Sequence, residues 1–364
     1  MFSDVKSLFS RNMNDFDIAA ENTVRIVASK NDSEEMDFCL QPLNGKVVIR
    51  ASDIAGNYST PYDPHIENTS VFRQSLDNIT IRAINEQGGG VSYEKTTSVI
   101  FGGYNNRALA DESGHLSHNF LTWRPQVDFV VPNIKQQLTF VIHNADRLVL
   151  TRTRKISVKV YFRTILPKVF EIGTFGDDKM LYRVDCSYQT IRELANSVDD
   201  EIVAYDVFGA KDSSLLTANT IRPQRFIVKE SSLSDSYFFF QNTLGGFDTI
   251  MATGEQKESS KGEVYTISTP QGEVEVENTH VRSWEVNTGY ISTSQEESIW
   301  REFLQSTNRY VLFRDGSHRQ IVVEEYKAER TKLELGSFTF KYHYADEERG
   351  LYCQKSEELK EFIK

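Results

Sequence analysis

The sequence predicts a mainly β protein: two β-sandwich domains of immunoglobulin-like kind at residues 1–115 and 116–230, then an α+β domain at 231–364. Three observations carry that expectation. Aromatic residues make up 12% of the chain, with 23 Phe and 16 Tyr, and such side chains suit the half-buried surface of a strand. Short β-branched runs recur at intervals of roughly ten residues, each closed by turn residues. Strong helix signals are confined to the last third. The 364 residues suit two or three domains at roughly 150 each.

In the first stretch, Val24–Val27, Lys46–Ile49 and Ile79–Ile84 read as strands. Asn44-Gly45 is a hairpin signal and Gly88-Gly89-Gly90 a loop. The run Thr97–Phe101 enters Gly102-Gly103, a pair that permits a backbone bend closed to residues with a Cβ. The second stretch offers Val127–Val131 and Leu138–Ile142. Its clearest strand covers 156–163, with Ile156, Val158, Val160 and Phe162 on one face. Ser157, Lys159, Tyr161 and Arg163 fall on the other, which is expected to be wet. Further strands are expected at 181–185, 201–207 and 225–229.

The third stretch opens on the aromatic strand Tyr237–Phe240, ended by Asn242-Thr243-Leu244-Gly245-Gly246. Val264–Ile267 and Val274–Glu277 flank a hairpin turn at Pro270-Gln271-Gly272. Ser294 and Glu297 have the spacing of a capping box, and Ile299, Trp300, Phe303 and Leu304 follow on one helical face. Tyr310–Phe313, an Asp315-Gly316 turn, Ile321–Val323 and the alternating Phe338, Phe340 and Tyr342 return to strands. Ser356–Ile363 is predicted as a short terminal helix.

Little in this pattern points to chemistry. Net charge is −11, which disfavours a nucleic-acid partner. It divides as −6 over 1–115, +3 over 116–230 and −8 over 231–364. The basic cluster Arg147, Arg152, Arg154, Lys155, Lys159 and Arg163 splits between two strand faces and forms no continuous phosphate-binding patch. Cys39, Cys186 and Cys353 lie too far apart for a zinc ribbon or a disulfide framework. His115 and His118 have no third metal ligand at a fixed spacing, while His318 and His343 read as surface residues. No nucleophile elbow or P-loop is present, and Cys186 sits in the alternation of a core strand. Asp177-Asp178 and Asp199-Asp200-Glu201 lack the order of a calcium loop and read as loop tips. Trp123, Trp284 and Trp300 are expected to pack rather than to stack on a sugar. No catalytic, cofactor or metal residue is therefore assigned. The start Met1-Phe2-Ser3-Asp4 has no secretory pattern, and no apolar run is long enough to span a membrane.

Two segments carry a family resemblance. Tyr237–Ile250 reads YFFFQNTLGGFDTI, and Asn287–Ile299 reads NTGYISTSQEESI, continuing to Tyr310-Val311-Leu312. Together they resemble poorly characterised proteins encoded by phages and prophages of Bacteroidetes, whose members look like tail-associated structural proteins. Val99–Tyr104, with its glycine pair, is similar to an element near the end of that family's first domain. The likeness is good over about 230–345 and loose before it. The residues that carry it are Asn242, Gly245, Gly246, Phe247, Gly289, Tyr290, Gly102 and Gly103, and their expected roles are conformational. Asn242 caps a turn, the glycines supply unusual backbone angles, and Phe247 packs on its sheet.

The resemblance implies a non-enzymatic component of a phage or prophage tail, assembled in the bacterial cytoplasm and carried in the virion. Its expected partners are copies of itself and neighbouring tail proteins, joined through strand edges and loop ends. Two other readings compete: a carbohydrate- or receptor-binding module at a tail tip or cell surface, and a polysaccharide depolymerase with paired carboxylates.

Overall fold

The computed structural model describes residues 10–13, 15–59, 71–85, 91–103, 120–142, 155–175, 180–210, 223–232, 234–269, 272–291, 293–329 and 336–346. The described chain is mainly β. In order, it forms β1 (Phe16–Ala19), β2 (Val24–Lys30), β3 (Ser33–Leu40), β4 (Lys46–Ile49), α1 (Ala51–Tyr58), β5 (Val71–Ser75), β6 (Asp77–Asn85) and β7 (Val91–Val99). Next come β8 (Val127–Val130), β9 (Gln137–Ile142), β10 (Lys155–Phe162), β11 (Lys168–Thr174), β12 (Met180–Asp185), α2 (Tyr188–Leu194), β13 (Ile202–Ala210) and β14 (Gln224–Val228). The last third holds β15 (Ser236–Gln241), β16 (Phe247–Ala252), β17 (Gln256–Thr269), β18 (Gly272–Asn287), α3 (Ser294–Gln305), β19 (Arg309–Leu312), β20 (His318–Glu329) and β21 (Ser337–Tyr344).

The chain divides into two compact units. One comprises Met1–Lys229 together with Gln241–Asp248, and the other Glu230–Phe240 with Thr249–Lys364.

The first unit holds a four-stranded sheet in the order β3-β2-β6-β7 and a two-stranded pair of β1 with β4. Ile26, Ala28, Ile79 and Ile81 form a core with Val47 and Ile49 of β4 and with Ala51, Ile54 and Ala55 of α1. Helix α1 has weak local signals. Its N-cap Arg50 makes no side-chain cap bond, and burial of the i, i+3, i+4 set holds its apolar face. The Asn44-Gly45 turn forms as expected, with φ of 54° and 74° and Leu43 bridged to Lys46.

Two further sheets complete this unit: β5-β12-β9, and β11-β10-β13-β14-β8, whose β14–β8 pair is parallel. In the former, Val71–Ser75 pairs with Met180–Val184 and so crosses residue 115. Their shared core contains Val158, Val160, Tyr205, Val207, Phe140, Tyr182 and Ile191. Phe140 stacks on Tyr182 with centroids 5.4 Å apart. The period-two reading of β10 holds for Ile156, Val158, Val160 and Phe162, which are all buried. Ser157, expected on the wet face, is buried; only Lys159, Tyr161 and Arg163 reach solvent. Its cross-strand neighbour Phe208 is fully buried too, so that end of the face is covered. Helix α2 was not signalled by the sequence. The Ser187 hydroxyl, instead of capping it, bonds Asp185 and receives the Gln136 N–H.

The second unit is a seven-stranded sheet ordered β16-β15-β19-β20-β21-β18-β17. Helix α3 packs on it through aromatic rings. Phe303 lies 5.3 Å from Phe238 and 5.2 Å from Phe340, and Trp300 lies 6.1 Å from Phe340. The capping box is real but displaced by one residue from the expected Ser294 and Glu297. Thr293 accepts from the Glu296 N–H, and the Glu296 carboxylate accepts from the Thr293 N–H. β17 and β18 are far longer than the runs expected around 264–267 and 274–277, because pairing continues back to Gln256 and Val286. The turn residues Pro270 and Gln271 lie outside the described residues, as do Gly88–Gly90 and the proposed helix Ser356–Ile363.

Candidate functional site

Six of the residues singled out in sequence meet in the first unit. The loop between Gln241 and Phe247 is built on Asn242. Its side-chain carbonyl accepts the N–H of Leu244 and of Gly246, both at 3.0 Å, and its backbone N–H bonds the Gly246 carbonyl at 2.8 Å. Its amide also donates to the Leu121 carbonyl at 3.0 Å and to Asp248 Oδ2 at 2.7 Å.

The two glycine pairs lie against each other's strands. Gly245 has φ of 78°, and a Cβ there would stand 2.3 Å from the Phe101 carbonyl oxygen. Gly102 has φ of 147°, and its Cβ would stand 2.4 Å from the Thr243 carbonyl oxygen. That same Thr243 oxygen accepts the Gly103 N–H at 2.7 Å. A Cβ on Gly246 would stand 1.9 Å from the Leu121 oxygen. Two backbones cross here at a separation only glycine allows. Phe247 is buried in the same place, with Arg183 over its ring at 5.2 Å.

A buried ion pair, missed in sequence, holds the loop. Arg124 and Asp248 are both fully buried, with Nε 3.0 Å from Oδ1. Asp248 also accepts from the Thr122 hydroxyl and the Trp123 N–H, while Arg124 reaches Asp128 at 3.3 Å and the Gln136 side chain. Burial works against the charge of Arg124, but the carboxylates of Asp248 and Asp128 outweigh it and hold its pKa above the usual value. The signal available in sequence was a lone Asp within the apolar strand Phe247–Ala252.

Gly289 and Tyr290 belong to the second unit. Gly289 has φ of 80°, and a Cβ would stand 2.3 Å from Thr253 Oγ1. Its N–H bonds Asn287 Oδ1 at 2.8 Å. Tyr290 follows, 81% exposed.

Two shallow grooves adjoin on the outer face of the second unit's sheet. One, of about 360 Å³, is lined by Glu285, Glu325, Tyr326, Lys327 and Lys341 among others; the other, of about 260 Å³, by Glu255, Lys257 and Glu285. Register places Lys257, Glu285, Lys341 and Glu325 directly opposite one another across four strands. Each charge stands opposite its contrary in register, and the lysines form ion pairs with neighbouring carboxylates, Lys257 with Glu255 at 3.3 Å and Lys341 with Glu324 at 3.2 Å. A lysine separates the two glutamates on an open face.

The remaining candidates carry no convergent chemistry. Cys186 is buried, and that burial pushes its thiol far above the usual range. Cys39 is exposed. Among the described residues no cluster of His, Cys, Asp and Glu could hold a metal, and no helix is long and apolar enough to cross a membrane. Trp123, Trp284 and Trp300 are buried and present no platform for a sugar. His318 and His343 are half-buried, and His343 contacts Glu324 at 3.0 Å. Asp200 forms a loop tip that binds Thr164 and Ile165. His115, His118, Asp177, Asp178, Cys353, Arg147, Arg152 and Arg154 lie outside the described residues.

No family model and no curated protein matches the chain. Solved structures do match over part of it. One is a chain from the virion of a native gene transfer agent particle, at 12% identity and a TM-score of 0.24, covering 32% of this chain and 95% of that one. Another is from the tail of an empty gene transfer agent particle with C6 symmetry, at 14% identity and a TM-score of 0.22, covering 31% and 92%.

Proposed function

We propose that this chain is a non-enzymatic structural component of a phage or prophage tail, of the kind encoded by Bacteroidetes phages, acting through self-association and docking to neighbouring tail proteins. One observation carries the reading. The residues behind the family resemblance in the first unit are consumed in closing backbone on backbone. Asn242, Gly245, Gly246, Phe247, Gly102 and Gly103 set the course of the chain and offer no reactive group. A signature of that kind is what an architectural protein needs, because its sequence is constrained by shape. Open strand edges supply the means of association.

The test is to induce the source strain, separate particles on a density gradient and follow this chain by mass spectrometry. Co-sedimentation with the particles at fixed stoichiometry supports the reading. Recovery only in the soluble fraction, while other tail proteins sediment, overturns it.

A further inference from the structure

Strands β17 and β18 run well past the sheet that anchors them. β17 is the last strand of the seven, and β18 pairs with β21 only from Trp284 to Asn287. Pairing between β17 and β18 nevertheless continues to Thr269 and Gly272. Among the described residues, the part of β18 before Trp284 and its partners in β17 therefore form a two-stranded ribbon with no third strand. At about 3.3 Å per residue it extends roughly 40 Å. A two-stranded ribbon is marginal in water by itself, and its open edge invites pairing. Val264 on it is 53% exposed. Lys261 and Arg282 lie at its base. Its outer part, between Gly262 and Val281, carries Glu263, Glu273, Glu275 and Glu277 in sequence and no Lys or Arg.

A surface of the opposite character lies on the first unit. Register across the outer face of the five-stranded sheet places Val169, Lys159, Asp206, Arg225 and Val127 in one row. Val127 and Phe129 on the β8 edge are 46% and 48% exposed, and Val169 on the opposite β11 edge is 39% exposed. Two carboxylates lie on this face among the described residues: Asp206 is buried and paired with Arg225 at 2.6 and 2.7 Å, and Glu171 is paired with Lys155 at 3.0 Å. Lys159, half-buried, lies over the Tyr161 ring at 5.2 Å, and Lys229, exposed, over the Phe129 ring at 5.9 Å.

We propose that the acidic outer part of the β17–β18 ribbon of one copy of this chain docks on the cationic outer face of the five-stranded sheet of a second copy. The inference rests on the self-association reading above and names its surfaces. Ribbon and face are different patches, so the contact either repeats from copy to copy, as in a ring or tube, or is exchanged reciprocally in a two-fold dimer, and the sedimentation coefficient distinguishes the two. Complementary charge fixes the pairing and its rate.

The full chain tests this by sedimentation velocity. One variant reverses the face (Lys159→Glu with Lys229→Glu), and another reverses the ribbon (Glu273→Lys, Glu275→Lys and Glu277→Lys). Each alone should weaken assembly by about a hundredfold, since like charges then meet. An equimolar mixture should assemble again, because each variant's ribbon then meets the other's face. Carbodiimide cross-linking of mixed isotope-labelled wild-type chains checks the contact without substitution, and should join Lys159 or Lys229 to ribbon glutamates of another copy. Assembly indifferent to both reversals, or cross-links confined to other surfaces, overturns the docking and leaves self-association standing. A wild-type chain that stays monomeric at every concentration overturns both, while particle co-sedimentation still judges the tail reading separately.

Discussion

Gly245 and Gly45 separate two roles of glycine that look alike in sequence. Both have positive φ, 78° and 74°. A Cβ on Gly45 meets nothing within 4 Å, so Gly45→Ala should cost only the left-handed penalty of about 1–2 kcal/mol. A Cβ on Gly245 would meet the Phe101 oxygen at 2.3 Å, so the backbone crossing must open. Gly245→Ala should cost about 4 kcal/mol or more, in the range kept for broken buried structure. Urea denaturation of the two variants measures the difference. Asp248→Asn makes a second case. It leaves the Arg124 guanidinium buried without its main countercharge, and should destabilise by about 3–5 kcal/mol in the same assay. The need for glycine at both pairs was legible from Gly102-Gly103 and Gly245-Gly246. Their meeting was not, because no periodicity links residues so distant in the chain. The Arg124–Asp248 pair was hidden for the same reason.

Helix α3 and the β10–β11 loop show what local pattern can and cannot settle. The apolar face Ile299, Trp300, Phe303 and Leu304 was legible because helical spacing is a local property. The expected cap falls one residue beyond the observed one because Ser294 and Thr293 both suit it, with Glu297 and Glu296 each three residues on. Thr293→Ala should therefore cost about 1 kcal/mol and Ser294→Ala close to nothing, as read by thermal denaturation. At the β10–β11 loop, Asp200 accepts the N–H groups of Thr164 and Ile165 and the Thr164 hydroxyl. Led by the Thr164 backbone bond, these contacts hold its pKa below the ordinary 3.8. A depressed carboxylate stabilises above its unfolded pKa and loses that contribution as pH falls through the folded value. Asp200→Asn should therefore lower stability at neutral pH, and the difference from wild type should shrink as pH falls below the ordinary carboxylate range and through the lowered folded-state pKa. Denaturation midpoints between pH 2 and pH 7 would expose a wrong sign. Burial of Ser157 marks the limit of such reading. Alternation divides β10 into two faces but says nothing of which neighbour covers one end of the second.

At the scale of the molecule, neither compact unit is a continuous length of chain. Gln241–Asp248 folds with Met1–Lys229, although stretches of the other unit flank it in sequence. Composition and turn spacing made the β-rich character legible, but not this return, because it depends on contacts made by only eight residues, Gln241 to Asp248. Those residues supply the Asp248 carboxylate for Arg124, the Asn242 amide for the Leu121 carbonyl and the Gly245 backbone beside Phe101. A fragment ending at Lys229 would keep every strand from β1 to β14 and lose all three. It would leave Arg124 with only the longer contact to Asp128 in place of its main countercharge, a defect of about 3–5 kcal/mol against a total stability of about 5–15. The 1–229 fragment should therefore lose its near-ultraviolet circular dichroism and melt broadly. A second fragment, with a Gly/Ser linker of equal length in place of 230–240 and ending at Asp248, should recover a cooperative transition. Equal melting of the two fragments would mean that the loop is a passenger on the first unit. A cooperative transition regained only with the loop, and lost again on Asp248→Asn, would make the return segment a structural part of the unit that sequence order hides.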